Sequence, residues 1–256
     1  MTASEVDPGL WIRSFHPAPA PGSTRLVCLP HAGGSASFYF PVSRALAADL
    51  DVVAIQYPGR QDRRHEECVD SVEELARRVV DVLDPRPDQP VALFGHSLGA
   101  TLGYEMARLM EQRGVVPRHL FASGRRAPSR HRHETVHQRD DEGILAELKA
   151  LSGTDARVLG DEEVLRMSLP AIRSDYRAAE TYVHRPGPPL SCPITAFTGE
   201  DDPKVTLDEA RAWSEHTTAA FAMHTYPGGH FFLSDHAPAL LRVISQELAP
   251  VAGGTR

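Results

Sequence analysis

Short, mainly apolar runs recur along the chain with longer amphipathic stretches between them. Leu26 to Leu29, Val52 to Tyr57, Val91 to Phe94, His119 to Ser123, Ile194 to Thr198 and Ala220 to Tyr226 have the length and content of strands buried on both faces. An additional edge strand is expected around Trp11 to Phe15. The segments between the runs carry helical periodicity. Leu98, Leu102, Met106, Leu109 and Met110 recur near the 3.6 period until Gly114. Ser71-Val72-Glu73-Glu74 opens a helix carrying Leu75, Val79 and Leu83, and Thr206-Leu207-Asp208-Glu209 opens one carrying Ala210 and Trp213, both with the spacing of a capping box. A last helix runs from about Pro238 through Leu241, Ile244 and Leu248. Strands alternating with helices predict an α/β fold with a mostly parallel central sheet.

One connection breaks the rhythm. About 70 residues separate the run ending at Ser123 from the one beginning at Ile194, far more than a crossover helix requires. This insertion, about 126–186, contains one helical piece with Ile144, Leu145, Leu148 and Leu151, stopped by Gly153. A second begins near Asp161 and carries Val164, Leu165, Leu169, Ile172, Tyr176 and Ala179, with a kink expected at Pro170. Both are amphipathic, and their place in the chain order makes them a lid over a site. The plainer reading is a cover for one edge of the core. The Pro-rich stretches at Pro17 to Pro21 and Pro186 to Pro189 read as connectors.

At 256 residues the whole reads as one domain with an insertion, 1–256. The net charge of −7 disfavours a general nucleic-acid binder. No run approaches the roughly 18 apolar residues of a membrane span, and the first thirty residues lack a signal-peptide pattern, so the expected location is the cytoplasm. Cys28, Cys68 and Cys192 have no C-x-x-C spacing and read as unpaired thiols, the first and last in the core and Cys68 among surface charges.

The chemistry enters with Gly95-His96-Ser97-Leu98-Gly99, a G-x-S-x-G pentad between the run Pro90 to Phe94 and the helix that follows. A strand that turns at once into a helix strains the apex residue and exposes its side chain, which makes Ser97 the candidate nucleophile. Side chains at 95 and 99 would crowd such a turn. Serine needs a base, and the base needs a carboxylate to orient it. Ile194 to Thr198 ends in Gly199-Glu200-Asp201-Asp202-Pro203, and the last strand ends in Pro227-Gly228-Gly229-His230. Both ends emerge at the strand termini where open α/β sheets build their sites. Asp202 is preferred over Asp201 as the acid, because it sits at the turn before Pro203. His230 is preferred over His236 as the base. The oxyanion needs two N–H donors, assigned to the backbone of Leu98 and of Ala32 in the glycine-rich loop Pro30-His31-Ala32-Gly33-Gly34.

With these motifs placed, together with Gln56-Tyr57-Pro58-Gly59-Arg60 and Gly228-Gly229-His230-Phe231-Phe232, nearly the whole chain resembles the type II thioesterases. These are α/β-hydrolases that edit polyketide and nonribosomal peptide synthetases. The resemblance implies hydrolysis of aberrant or stalled acyl thioesters from the phosphopantetheine arm of acyl or peptidyl carrier proteins. It implies a Ser97–His230–Asp202 triad and an acyl-enzyme, no cofactor or metal of its own, and a lid formed by the insertion. The expected partner is a carrier protein, and a monomer is the expected state.

Two alternatives share parts of this pattern. The same triad would serve a carboxylesterase or lipase acting on free esters, and an idle hydrolase fold would serve as a carrier-binding module. His131, His133 and His137 have a spacing that suggests metal ligands, but Arg125, Arg126, Arg130, Arg132 and Arg139 surround them, which favours a solvated loop. A sharper expectation is that this basic stretch attracts an acidic carrier protein or its phosphate.

Overall fold

A computed structural model describes residues 7–152 and 162–249. In chain order the elements are α1 (Pro8–Trp11), β1 (Ile12–Ser14), β2 (Arg25–Leu29), α2 (Phe40–Leu46), β3 (Asp51–Ile55), α3 (Val72–Leu83), β4 (Val91–His96) and α4 (Leu98–Gln112). Then come β5 (His119–Ser123), α5 (Asp141–Ser152), α6 (Glu162–Thr181), β6 (Ile194–Gly199), α7 (Leu207–Arg211), β7 (Phe221–Tyr226), α8 (Phe232–Asp235) and α9 (Ala237–Leu248).

The seven strands form one sheet in the order β1-β3-β2-β4-β5-β6-β7. Only β1 is antiparallel to its neighbour, with Ile12 opposite Ile55; the pairs from β3 to β7 are parallel. The apolar runs become these strands because each strand's alternate residues feed a different layer. Val27, Leu29, Val53, Ile55 and Leu93 pack under α3 and α4, with Leu75, Val79, Leu102 and Met106. Leu26, Cys28, Val52, Phe94, Phe121 and Phe197 face the other way, onto Leu240, Ile244 and Leu248 of α9. Burial on both faces is what a parallel sheet with helices on each side demands.

Registry brings the strand ends together. Leu29 lies opposite Gly95, His96 opposite Ser123, and Gly199 opposite Tyr226. The loops after β2, β4, β6 and β7 therefore leave the same edge of the sheet.

Some elements differ in detail from the sequence expectation. Thr206 makes the full reciprocal cap with Glu209, but α7 lasts five residues and the chain continues as a 3₁₀ turn over Ala212–His216 that buries Trp213. At Ser71 only one half of the expected capping box forms, with Ser71 Oγ accepting from the Glu74 amide. Cys28 and Cys192 are buried as expected, whereas Cys68 is half-buried instead of exposed. The helix after β2 had no clear sequence signal, since α2 opens as a 3₁₀ turn over Ala36–Tyr39. Pro170 lies inside α6, and the helix stop expected at Gly153 falls outside the described residues. Among the described residues no helix is long and apolar enough to cross a membrane.

The helix α4 meets the sheet at two glycines with different tolerances. A Cβ on Gly99 would lie 2.0 Å from the Leu29 carbonyl oxygen, a backbone atom that cannot give way. A Cβ on Gly103 would have the Leu120 and Leu29 methyl ends as its nearest neighbours, at 3.1 and 3.2 Å, with no backbone atom among the closest three. Alanine is the better helix former by about 1 kcal/mol. Gly103→Ala should therefore leave the melting temperature within a few degrees of the parent, whereas Gly99→Ala should lower stability by about 3 kcal/mol or more. Thermal melts of the two variants check the contrast.

Candidate active site

The turn from β4 into α4 carries the strain expected of its sequence. Ser97 has φ +54° and ψ −116°, a conformation that costs a non-glycine residue roughly 1–3 kcal/mol. The surroundings hold it there. Its amide donates to the Ser123 carbonyl at 2.8 Å, and a Cβ on Gly95 would fall 2.0 Å from the Gly99 oxygen. Ser97 is thus squeezed to the apex of the corner, half-buried, with its side chain in a cavity at the sheet edge.

Two loops bring the remaining groups. The loop after β6 and the loop after β7 approach so closely that a Cβ on Gly199 would sit 2.4 Å from the Gly229 oxygen. The Asp201 amide donates to the Gly228 carbonyl at 3.0 Å. This contact puts Asp202 against His230: both carboxylate oxygens lie within 3.0 Å of Nδ1, at 2.9 and 3.0 Å, and both residues are buried. The adjacent Asp201 and Glu200 point to solvent. His236 instead stacks on Tyr226 and bonds the Pro227 carbonyl through Nε2. With Nδ1 engaged by Asp202, His230 has Nε2 left for the cavity that Ser97 and His230 both line. Among the described residues no hydrogen bond joins Ser97 Oγ to His230 in this conformation.

Ala32 lines the same cavity. The Gly33 amide donates to Asp175 at 2.8 Å and the Gly34 amide to the His31 carbonyl at 2.9 Å, so of these three consecutive amides only that of Ala32 is unclaimed by a described residue. Leu98 is the first residue of α4, where an amide has no partner within the helix.

Aromatic and imidazole rings back His230. His96 lies 4.9 Å away, Phe231 5.4 Å, and His31 packs on Phe231 and His96 at 5.0 and 6.0 Å. Burial, reinforced by the field of His230, lowers the His31 pKa to about 3 and drives His96 well below the ordinary range. Two neutral imidazoles therefore flank the one that touches a carboxylate.

The insertion forms the opposite wall. Leu148 and Leu151 of α5 and Tyr176 and Ala179 of α6 line the cavity, whose volume is about 40 Å³. Charge collects there as well. Glu134 pairs with Lys204 at 3.0 Å and with Arg126; burial alone would raise its pKa, but these two cations bring it down to about 2. The Glu180 carboxylate accepts from the amides of Val136 and His137 and pairs with the His137 ring. The stretch 125–139 joins the wall through Arg125 and Glu134, whereas Ser129 to His131 and His133 are exposed on a segment without helix or strand, the solvated loop expected for the histidines. Its arginines are engaged internally, Arg130 by Glu215, Arg132 by Glu209 and Arg139 by Glu147, which removes most of the free positive field expected of it. Among the described residues no group of His, Cys, Asp and Glu side chains could hold a metal ion.

Sequence reasoning missed Asp175, Glu180 and Glu134 as contributors to the site. A signal was present for the first two: Asp175 and Glu180 fall on the same face of α6 as the apolar Ile172, Tyr176 and Ala179, where an acid needs a buried partner.

The sheet order, the strained serine corner and the buried carboxylate–imidazole pair at the strand ends define the α/β-hydrolase fold. Residues 24–248 match the family described as Thioesterase domain, so the chain belongs to that family and is a thioester hydrolase. Thioesterase PikA5 of Streptomyces venezuelae is 53% identical over 250 residues, covering 97% of this chain and 89% of that protein. A probable cadicidin biosynthesis thioesterase of Streptomyces griseus is 52% identical over 250 residues, covering 98% of this chain and 69% of that protein. The solved structure of the type II thioesterase BorB from the borrelidin biosynthetic cluster shares 55% identity and a TM-score of 0.90, covering 97% of this chain and 100% of that one. The type II thioesterase resemblance read from the motifs therefore holds.

The buried histidines make stability depend on pH. Burial lowers His119 and His216 to about 4, besides lowering His31 to about 3 and His96 well below its ordinary value. The unfolded chain takes up these protons near pH 6.5, the folded chain only at or below about pH 4, so stability is full above pH 6.5 and is lost as the pH falls toward 4. Each group contributes up to about 1.4 kcal/mol per pH unit in that window. Urea midpoints should fall steeply between pH 6.5 and about 5.5, above the range in which Glu134 mostly titrates in the unfolded chain, and His119→Gln should flatten the slope.

Proposed function

We propose that this chain removes aberrant or stalled acyl groups from the phosphopantetheine arm of acyl or peptidyl carrier proteins in a polyketide or nonribosomal peptide pathway. The observation that carries the chemistry is the buried Asp202–His230 pair sharing one cavity with the strained Ser97. The names and structures of the similar proteins support the pathway setting.

In this reading Ser97 Oγ attacks the thioester carbonyl while His230 Nε2 takes the serine proton. Asp202 fixes the Nδ1–H tautomer and stabilises the imidazolium that forms. The flanking His31 and His96 are neutral, so no like charge on those rings opposes that imidazolium. The carbonyl oxygen becomes an oxyanion that accepts from the Leu98 and Ala32 amides, and the N-terminal end of α4 adds its positive dipole end. The intermediate collapses by breaking the C–S bond, and the leaving pantetheine sulfur takes the proton from His230. Water then attacks the acyl-enzyme, giving its proton to His230, which returns it to Ser97 as the free acid departs. The chain itself contributes every group these steps use, and the phosphopantetheine belongs to the partner. The helices α5 and α6 act as a lid whose apolar residues receive the acyl group.

The discriminating experiment incubates the protein and Ser97→Ala with several acyl-carrier proteins and with a p-nitrophenyl ester, and measures acid release. Serine-dependent turnover of the carrier thioesters is expected. Ester turnover without thioester turnover would make the enzyme a carboxylesterase, and turnover of neither would leave only a carrier-binding role.

Ser97→Ala and His230→Ala should each reduce kcat by about four to six orders of magnitude, and the double variant should be little worse, because the groups act as a unit. Single-turnover rates of the three variants test this, and strictly additive losses would contradict it.

A further inference from the structure

A buried ion pair ties the insertion to the loop after β3, and both its members reach the loop after β2. Asp175 of α6 is 1% exposed and Arg60, at the end of Tyr57-Pro58-Gly59-Arg60, is 6% exposed. The guanidinium donates Nη1 to Oδ2 at 2.6 Å and Nη2 to Oδ1 at 2.8 Å, the two-pronged geometry of a strong pair. Oδ2 also accepts from the Gly33 amide at 2.8 Å. Arg60 donates in addition to the Gly34 carbonyl at 3.1 Å and the Pro58 carbonyl at 3.3 Å. Two side chains thus grip the amide of Gly33 and the carbonyl of Gly34. The approach of α6 is tight as well, since a Cβ on Gly33, at φ +76°, would lie 2.8 Å from Ile172 Cγ1.

We propose that Asp175 and Arg60 are positioning residues for the oxyanion site: from the lid helix and the loop after β3, they hold the Ala32–Gly33–Gly34 backbone so that the Ala32 N–H faces the cavity. The proposal rests on the reading of Ala32 as an oxyanion donor. Its physical basis is competition between neighbouring amides. The Gly33 N–H is one peptide away from the Ala32 N–H, and glycine's freedom lets the Ala32–Gly33 plane rotate when nothing anchors it. The Asp175 carboxylate removes that rotation by binding the Gly33 N–H on the side of α6. Arg60 neutralises the carboxylate and fixes the next peptide through the Gly34 oxygen. Donors act on a transition state only when held in place before the reaction. The same anchor makes the helix that lines the acyl cavity part of the catalytic geometry.

A purely structural ion pair would behave differently, because apolar residues of similar size commonly replace a buried pair without loss of stability. The test compares Asp175→Asn, Arg60→Lys and the double variant Arg60→Met/Asp175→Leu by melting temperature, by kcat and KM on an acyl-carrier thioester, and by affinity for phenylboronic acid. The boronate forms a tetrahedral adduct on Ser97 with an oxygen in the oxyanion site. Affinity for the non-hydrolysable thioether analogue of the acyl-pantetheine reports ground-state binding. In every folded variant kcat is expected to fall about 10- to 100-fold and boronate affinity by a similar factor, with KM and thioether affinity within about threefold of the parent. The double variant should regain the melting temperature and not the rate. A folded variant with kcat and boronate affinity within twofold of the parent would overturn the proposal, as would a double variant in which rate recovers together with stability. If the parent protein itself turns over no carrier thioester, the proposed function fails, and the boronate affinities still decide the role of the pair.

Discussion

The approach of the β4–α4 corner to β2 is the constraint on which this site depends. At Gly99 the Leu29 carbonyl oxygen of β2, and at Gly95 the Gly99 oxygen within the corner itself, occupy the space where a side chain would be, each 2.0 Å from a hypothetical Cβ. That approach leaves Ser97 no relaxed conformation and no direction except outward from the sheet edge. It also brings the first amide of α4 beside the loop after β2, so the serine and the two assigned amide donors come from one packing contact. The second close approach, of the β6 and β7 loops at Gly199 and Gly229, does the same for Asp202 and His230. The parallel registry of the sheet then fixes the distance between the two contacts.

The insertion is held by a different kind of force. Its own buried apolar cluster is small, with Val136, Ile144, Leu145, Leu169, Ile172 and Tyr176 at its centre. Around it stand directional, charged contacts: Asp175 with Arg60, Glu180 with His137, and Glu134 and Glu147 with Lys204. Apolar contact alone is tolerant of sliding, whereas a buried carboxylate without its partners costs several kcal/mol. The insertion is therefore placed over the cavity by a few polar contacts, one of which, from Asp175 to the Gly33 amide, reaches the backbone of the loop after β2. The basic stretch before α5 belongs to this system, and its charge is offset by acids, half-buried at Glu134 and Glu147 and exposed at Glu215.

Much of this protein can be read from its chain alone. Five of the seven strands were legible because a strand buried on both faces must be apolar throughout; the edge strand Ile12–Ser14 was legible as a shorter run, and Phe221–Tyr226, expected to be buried on both faces, is instead the half-buried strand at the other edge. The pentad announced a strained serine, since glycines two residues to either side have few other uses between a strand and a helix. The strand-end loops marked Asp202 and His230 as a candidate pair, and the fold brings the two side chains into contact. Relations between residues distant along the chain arise only when the elements pack. The contact of Asp202 with His230, in place of Asp201, comes from which way the turn before Pro203 folds against Gly228. The neutrality of His31 and His96 comes from burial that no local pattern encodes. Asp175 reads as one more acid on an amphipathic helix until the fold brings Arg60 to it, 115 residues away along the chain. Periodicity specifies which face of an element is buried, but the partner that meets that face is chosen only when the whole sheet and its insertion have packed.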